Sequence, residues 1–533
     1  MNSPNPRKTI IVPFMDVTAA RSGGGRFFRS STGAGGTGEF TKKGVRAGGY
    51  AWPGKQGVLR AARQGEEHAA YRFAFSLLYL FTLLLYARPN DLIPAMGEFP
   101  LAKIVAIIAP LAYIYARYSL GKPIINWTIE VKMVIVMLFL AVLFTPIAAS
   151  PGDSAAALSD VFIKTVIIFI LIIGLVNTRE RLQAMIKLTT FCGTWLAVFA
   201  IKNYATGNLT MKGDRIEGLV GGMFGNPNDL AAAFNLLIPL AVALALMNAG
   251  GARLLYAACA LLMSGGTLVT FSRAGFITLA AVSGVMLWKF GRGSRSSVAI
   301  ATLIAAVLLF SVFSGAYRSR LSTILDPDAD ESGSAQQRIE LLKRGLSLSL
   351  GHPIIGLGIG NFHIYSISEM VAHNGYLETS AELGTIGLLA YLVVILAPLV
   401  GLNRIEMQTI KSRAGGDLDA KYLSVGLQAA LIAYAINSFF LSIQYLWYLY
   451  YAAGFAVALR LIYAAEKASQ ANEGEAAAPS HKFKFGNQWK SDSRKPAGSL
   501  WPAYQCGGPA VREGAFALPH GRATTTFTEP PYG

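Results

Sequence analysis

The 533 residues are 53% hydrophobic and only 14% charged, against about 25% charged in an ordinary soluble domain, and this balance excludes a water-soluble globular fold. A net charge of +17 raises nucleic-acid binding, but the basic residues collect in the two tails and in alternate loops, without aromatics interleaved to stack bases, and no nucleic-acid role follows. Cys192 and Cys259 fall inside apolar runs and Cys506 in the C-terminal tail, a spacing that fits neither a zinc site nor a disulfide framework.

In chain order, residues 1–70 carry eleven Lys and Arg among Gly and Ser and read as a disordered basic cytoplasmic tail. The first apolar run starts near residue 71, too far from Met1 for an ordinary cleaved signal peptide. Apolar runs of spanning length then recur at 71–88, 101–118, 131–149, 161–177, 185–204, 229–247, 253–271, 274–291, 298–315, 375–401, 421–441 and 444–465. In lipid every backbone polar group must be satisfied within its own segment, so these runs are helices. The expected fold is an all-α polytopic membrane protein of about twelve transmembrane helices. Nine span 71–315, and three span 375–465. Residues 316–374 form the one large loop, and residues 466–533 read as a second disordered cytoplasmic tail.

Lys and Arg mark the cytoplasmic side of a membrane protein. With the N-terminus inside, inner loops hold about fourteen of them against about seven outside. Both termini are therefore expected in the cytoplasm and the long loop outside.

Within that loop, Ile339, Leu342, Leu346 and Leu350 recur at helical spacing behind Ser334 and before Gly351. This predicts an amphipathic helix on the outer membrane face, with Arg338, Lys343 and Arg344 toward water. Then follow Gly351-His352-Pro353-Ile354-Ile355-Gly356-Leu357-Gly358-Ile359-Gly360-Asn361-Phe362, the pair His373-Asn374, and Gly384-Thr385-Ile386-Gly387. Upstream lie Arg215, the stretch Phe224-Gly225-Asn226-Pro227-Asn228, and Ser272-Arg273 in a tight hairpin. Asp326-Pro327-Asp328-Ala329-Asp330 fails as a calcium loop, because Glu331 replaces the required Gly and Gln337 the required Glu. No Walker, dinucleotide or His-Glu-x-x-His motif is present.

In this order, these stretches resemble the O-antigen ligase and polysaccharide polymerase family over residues 75–460. The resemblance implies a glycosyltransferase of the bacterial inner membrane. It would move a glycan from an undecaprenyl-pyrophosphate carrier to a sugar hydroxyl on the periplasmic side, without metal or other cofactor. The acceptor would be another glycan, a lipid A core or a glycoprotein. The residue types suit that chemistry: arginines stabilise a pyrophosphate leaving group by bidentate hydrogen bonds, and an imidazole takes a hydroxyl proton near neutral pH. On this reading His373 is the general base and Glu382 a second catalytic carboxylate, with Glu378 one turn before it. Arg273, Arg215, Arg338 and Arg320 hold pyrophosphate, Asn374 and Asn361 position the loop or acceptor, and His352 and His363 are structural. The rival class is a transporter or flippase of lipid-linked glycans, which would place its binding residues near the bilayer midplane.

Overall fold

The computed structural model describes residues 55–88, 101–207, 209–211, 215–216, 224–290, 334–411 and 417–477. The chain divides into two units, 1–464 and 465–533. The first holds the helical bundle, and among the described residues the second holds the last turns of the final helix.

The helices, in chain order, are α1 Lys55–Ala87, α2 Leu101–Ser119, α3 Ile129–Phe144, α4 Pro151–Leu175, α5 Arg179–Ala205, α6 Pro227–Met247, α7 Gly250–Val269, α8 Arg273–Phe290, α9 Ser334–Gly351, α10 Gly375–Lys411, α11 Leu418–Phe440 and α12 Trp447–Ala477. A two-stranded antiparallel hairpin, Leu209–Met211 with Arg215–Ile216, is the exception to an otherwise helical fold among the described residues. Among the described residues ten helices are long and apolar enough to cross a membrane, and Tyr71–Ala87 is a shorter apolar segment. Each expected span falls on a helix except 298–315, which lies outside the described residues. Helix α9 has the bounds the periodicity predicts.

Several boundaries differ from the sequence reading, among them the end of α10 at Lys411 rather than 401. Helix α1 begins at Lys55, within the stretch 1–70 read as a disordered tail, and α12 continues to Ala477 rather than ending at 465. Helix α4 begins at Pro151, ten residues before the expected span. Ser150 caps it by accepting the Asp153 amide, Pro151 supplies a preset φ, and a π-helical turn at Ala157–Phe162 leads into the apolar half.

Helix α6 is the hub and is almost wholly buried. It packs against α5, α7, α8 and α11. Between helices in lipid there is little hydrophobic driving force, so close backbone approach through small residues does the packing. A Cβ on Gly275 of α8 would come within 2.7 Å of the Ala231 Cβ, and one on Gly426 of α11 within 2.8 Å of the Ala243 Cβ.

One end of the bundle is tied by charge pairs. Lys289 Nζ donates to Glu406 at 2.7 Å and to Gln428 at 2.8 Å, Arg460 forks onto fully buried Glu130 at 2.7 Å twice, and Arg179 pairs with Asp417. A buried ion pair is mainly costly to break, because the survivor is left desolvated. The opposite end carries the glycine-rich turns of the loop and the Ser-Arg hairpin.

Candidate functional site

The site is organised around a break in α10. At Gly384 the backbone takes φ +70°, ψ −177°, a region essentially reserved for glycine. The break turns carbonyls away from the helix, and the loop occupies them. Leu357 N donates to Ala381 O at 2.9 Å and Gly358 N to Glu382 O at 3.1 Å, while Thr385 N donates back to Pro353 O at 2.8 Å. Gly356 sits against the Glu382 carbonyl so closely that any Cβ would collide with it. The His-Pro-x-x-Gly turn and the Gly-x-x-Gly are thus two halves of one backbone joint.

Asn361 locks the joint to the α3–α4 hairpin. It is fully buried; its amide nitrogen donates to Ser150 O at 3.1 Å and Ser154 Oγ at 2.7 Å, and its oxygen accepts the Ser150 amide at 2.8 Å. Ser154 Oγ in turn donates to Ile359 O at 2.8 Å. Replacing Asn361 by Leu removes the acceptor of the Ser150 amide, while the Ser150 carbonyl keeps the Ser154 amide at 3.2 Å, at about 1–3 kcal/mol for the orphaned group. The Asn361→Leu protein is therefore expected to unfold at a denaturant concentration well below that of the parent, and equal midpoints would show the seam to be unimportant.

His373 directly precedes the capping residue of α10. Asn374 Oδ1 accepts the amides of Tyr376 at 3.1 Å and Leu377 at 3.0 Å, which ends the loop and starts the helix. His373 itself is in the left-handed region, φ +50°, which costs a non-glycine residue roughly 1–2 kcal/mol. Its imidazole is held below the ordinary histidine value of 6.5, first by burial and then by the positive charge of Arg338 on α9. Helix α9 is seated on α10 by Ser349 Oγ donating to Leu377 O at 3.1 Å, and Arg344 Nε donates to Tyr365 O at 2.7 Å. Arg344 therefore braces the loop, where the sequence suggests a merely solvated face.

The two carboxylates in the first turns of α10 point to different partners. Glu382, 1% exposed, accepts the Phe362 amide at 3.2 Å and so holds the loop at its Asn-Phe pair. Glu378, 6% exposed, accepts from Ala372 N at 2.9 Å, from Gln444 Nε2 at 2.9 Å and from Ser442 Oγ. His352 lies over its own turn, Nδ1 3.1 Å from Leu348 O, and His363 is 3.8 Å from Asp153.

Arg273 opens α8 at the same end of the bundle. The preceding Phe271 is left-handed, φ +51°. Ser272 Oγ donates to Asn228 Oδ1 at 2.8 Å and accepts the Gly275 amide at 3.2 Å. Asn226 caps α6 by accepting the Asn228 amide at 2.8 Å, and Asn235 donates to Gly275 O at 2.9 Å. The Asn-Pro-Asn stretch and the Ser-Arg hairpin are therefore one unit that aims the start of α8. A further link reaches toward α10: Thr278 donates to Asn437 at 3.0 Å in the last turn of α11, just before the hairpin that holds Glu378. Arg215 lies in the second strand, paired with Met211, and is described by its backbone alone; Arg320 lies outside the described residues. Among the described residues no three His, Cys, Asp or Glu side chains converge as metal ligands.

Sequence reasoning missed Ser442, Gln444 and Ser150. They sit in short hairpins without a motif, and their partners are 64, 66 and 211 residues away.

The helices and their loop joint define a polytopic helical membrane protein. Residues 258–392, from mid-α7 to mid-α10, match the family described as O-antigen ligase, and the match supports an O-antigen ligase family membrane protein. The matched stretch contains Arg273, Arg338, Asn361, His373, Asn374, Glu378 and Glu382. No curated protein matches the chain.

Proposed function

We propose that the protein transfers a glycan from an undecaprenyl-pyrophosphate carrier to a sugar hydroxyl at the periplasmic face of the bacterial inner membrane, both tails being cytoplasmic. The observation that carries this reading is the match of residues 258–392 to the O-antigen ligase family, a stretch that holds the Ser-Arg hairpin and the basic helix α9 seated on α10 by Ser349. His373 takes the acceptor hydroxyl proton. The freed oxygen attacks the anomeric carbon from the face opposite the leaving group, the bond from that carbon to the pyrophosphate oxygen breaks, and the configuration inverts. Arg273, with Arg338, Arg215 and Arg320, neutralises the charge growing on the departing pyrophosphate. Fixed guanidiniums keep their charge in such surroundings and fork onto phosphate oxygens. Glu382 and Asn361 hold the loop, and Asn374 sets the start of α10. The acceptor is a lipid A core, a glycoprotein or a further carrier-linked repeat, which distinguishes ligase from polymerase.

Purified protein in detergent, given a carrier-linked glycan and an acceptor, is expected to form product with no ion gradient. Absence of product there, with gradient-dependent movement of the intact glycan-lipid in vesicles, would make the protein a transporter instead.

The pH dependence follows from His373. A base must be neutral, and burial with Arg338 favours the neutral ring. Activity is therefore complete at neutral pH and is lost as pH falls through a value below 6.5. A kcat/KM profile whose acid limb lies above 6.5 contradicts the assignment.

A further inference from the structure

We infer that Glu378, clamped by Ser442 and Gln444, is the positioning residue that holds His373 in its working orientation. The inference rests on the reading of His373 as the base. Glu378 does not itself suit the role of base. It is 6% exposed and both of its oxygens are engaged, one by Gln444 Nε2 at 2.9 Å and the other by Ala372 N at 2.9 Å together with Ser442 Oγ. A carboxylate so occupied has little room to accept a substrate proton. What it does hold is the peptide that ends on the Ala372 amide, one residue before His373.

That peptide needs holding. His373 is left-handed, and two residues earlier in the same loop, Ser368 and Glu369, are left-handed as well at φ +53° and +54°. Conformations of this kind persist only where the surroundings over-determine them. From the C-terminal side Asn374 fixes the chain as the α10 cap. From the N-terminal side the fixed point is Ala372, 3% exposed, whose amide ends on Glu378. Glu378 is anchored in turn on the hairpin between α11 and α12. That hairpin is itself braced, because Tyr434 Oη donates to Ile443 O at 3.1 Å and Tyr450 Oη to Gln444 O at 3.2 Å. Rigid helices α11 and α12 thus reach the imidazole through one carboxylate. Catalysis is sensitive to such support, since a misplacement of about 1 Å can cost on the order of 100-fold.

The ionisable groups around this corner are Arg338 from α9, Glu378 and Glu382 from α10, His363 with Asp153 across the loop, and Tyr445 on the hairpin. Arg338 is the one whose charge bears on His373. Loosening the clamp lets the ring move toward water and away from Arg338, so its pKa rises toward the ordinary value.

The test uses the full-length protein in the transfer assay, with Glu378→Ala, Glu378→Gln, Gln444→Ala, the Glu378→Ala/Gln444→Ala double variant and His373→Ala. Glu378→Ala is expected to lower kcat by about 10- to 100-fold with both KM values within about twofold, and to move the acid limb of the pH profile upward. Glu378→Gln keeps a carbonyl oxygen where Ala372 N and Ser442 Oγ both donate and turns its amide toward Gln444, whose Oε1 accepts it once the Gln444 side-chain amide turns over, so it is expected to restore most of the rate and the original limb. The double variant is expected to be no slower than Glu378→Ala alone, because both act through one clamp. An unmoved acid limb in Glu378→Ala, a Glu378→Gln protein as slow as Glu378→Ala, or additive losses in the double variant each overturn the positioning role. Should Glu378→Ala not fold, Gln444→Ala reads the same limb, and an unshifted limb there counts against the clamp equally. An active His373→Ala protein refutes the base assignment itself, whereas inactive His373→Ala beside unimpaired Glu378→Ala refutes only the clamp.

Discussion

Replacing His373 by Ala is expected to reduce transfer by roughly 10²- to 10⁴-fold, the range for removal of a positioned general base, while the protein still inserts and accumulates as before. The side chain is only half-buried and accepts no packing role comparable to Asn361, so its loss leaves the bundle intact. A companion variant separates chemistry from backbone. Glycine adopts φ +50° without penalty, so His373→Gly removes about 1–2 kcal/mol of strain. It is expected to be as inactive as His373→Ala yet at least as stable. Rates for both variants, with thermal midpoints in the same detergent, check this; a His373→Ala protein at parental rate would remove the imidazole from the mechanism.

Replacing Gly384 by Val is expected to break the joint. The glycine-only backbone costs a β-branched residue about 1–3 kcal/mol, and its Cβ would lie 2.8 Å from Ile354 O and 3.1 Å from Pro353 O. Relief requires either a straight α10, which withdraws the carbonyls that accept Leu357 N and Gly358 N, or displacement of the loop. The loss is about 3 kcal/mol or more, at the upper end for point substitutions. Gly152→Ala serves as the control, because a Cβ there meets nothing within 4 Å. Protease accessibility of the segment 352–362, expected to rise in Gly384→Val and not in Gly152→Ala, reports on the joint directly.

Much of the bundle is legible in the sequence for a plain physical reason: a segment crossing lipid must be a helix and must be apolar for about 20 residues. Helix α9 is legible because Ile339, Leu342, Leu346 and Leu350 keep one face. The glycines at 356 and 384 are visible as spacing, but their joint is not, since one obstructs a carbonyl that only the break at the other exposes. Helix α4 is misjudged at its start because its first turns are polar; they face Asn361 and Gly360 of the loop rather than lipid. The same limitation hides the clamp on Glu378. Periodicity reports which face of a helix is apolar, and a hydrogen bond to a hairpin 64 residues away leaves no trace in it. Arg344 shows the converse error, since a charge on an exposed helix face looks solvated until its carbonyl partner at Tyr365 is in place.

On the proposed function, the imidazole and the arginines of α8 and α9 meet a pyrophosphate-bearing lipid at one site. Photo-crosslinking tests it most directly, using a prenyl-pyrophosphate glycan that carries a diazirine beside the phosphates, followed by mapping of the labelled peptides. Labelling is predicted in peptides containing Arg273, Arg338 and His373, suppressed by unlabelled carrier and weakened by Arg273→Ala. Labelling confined to the other end of the bundle, for example in the cavity of about 370 Å³ lined by Arg72, Thr178 and Arg181, would contradict it.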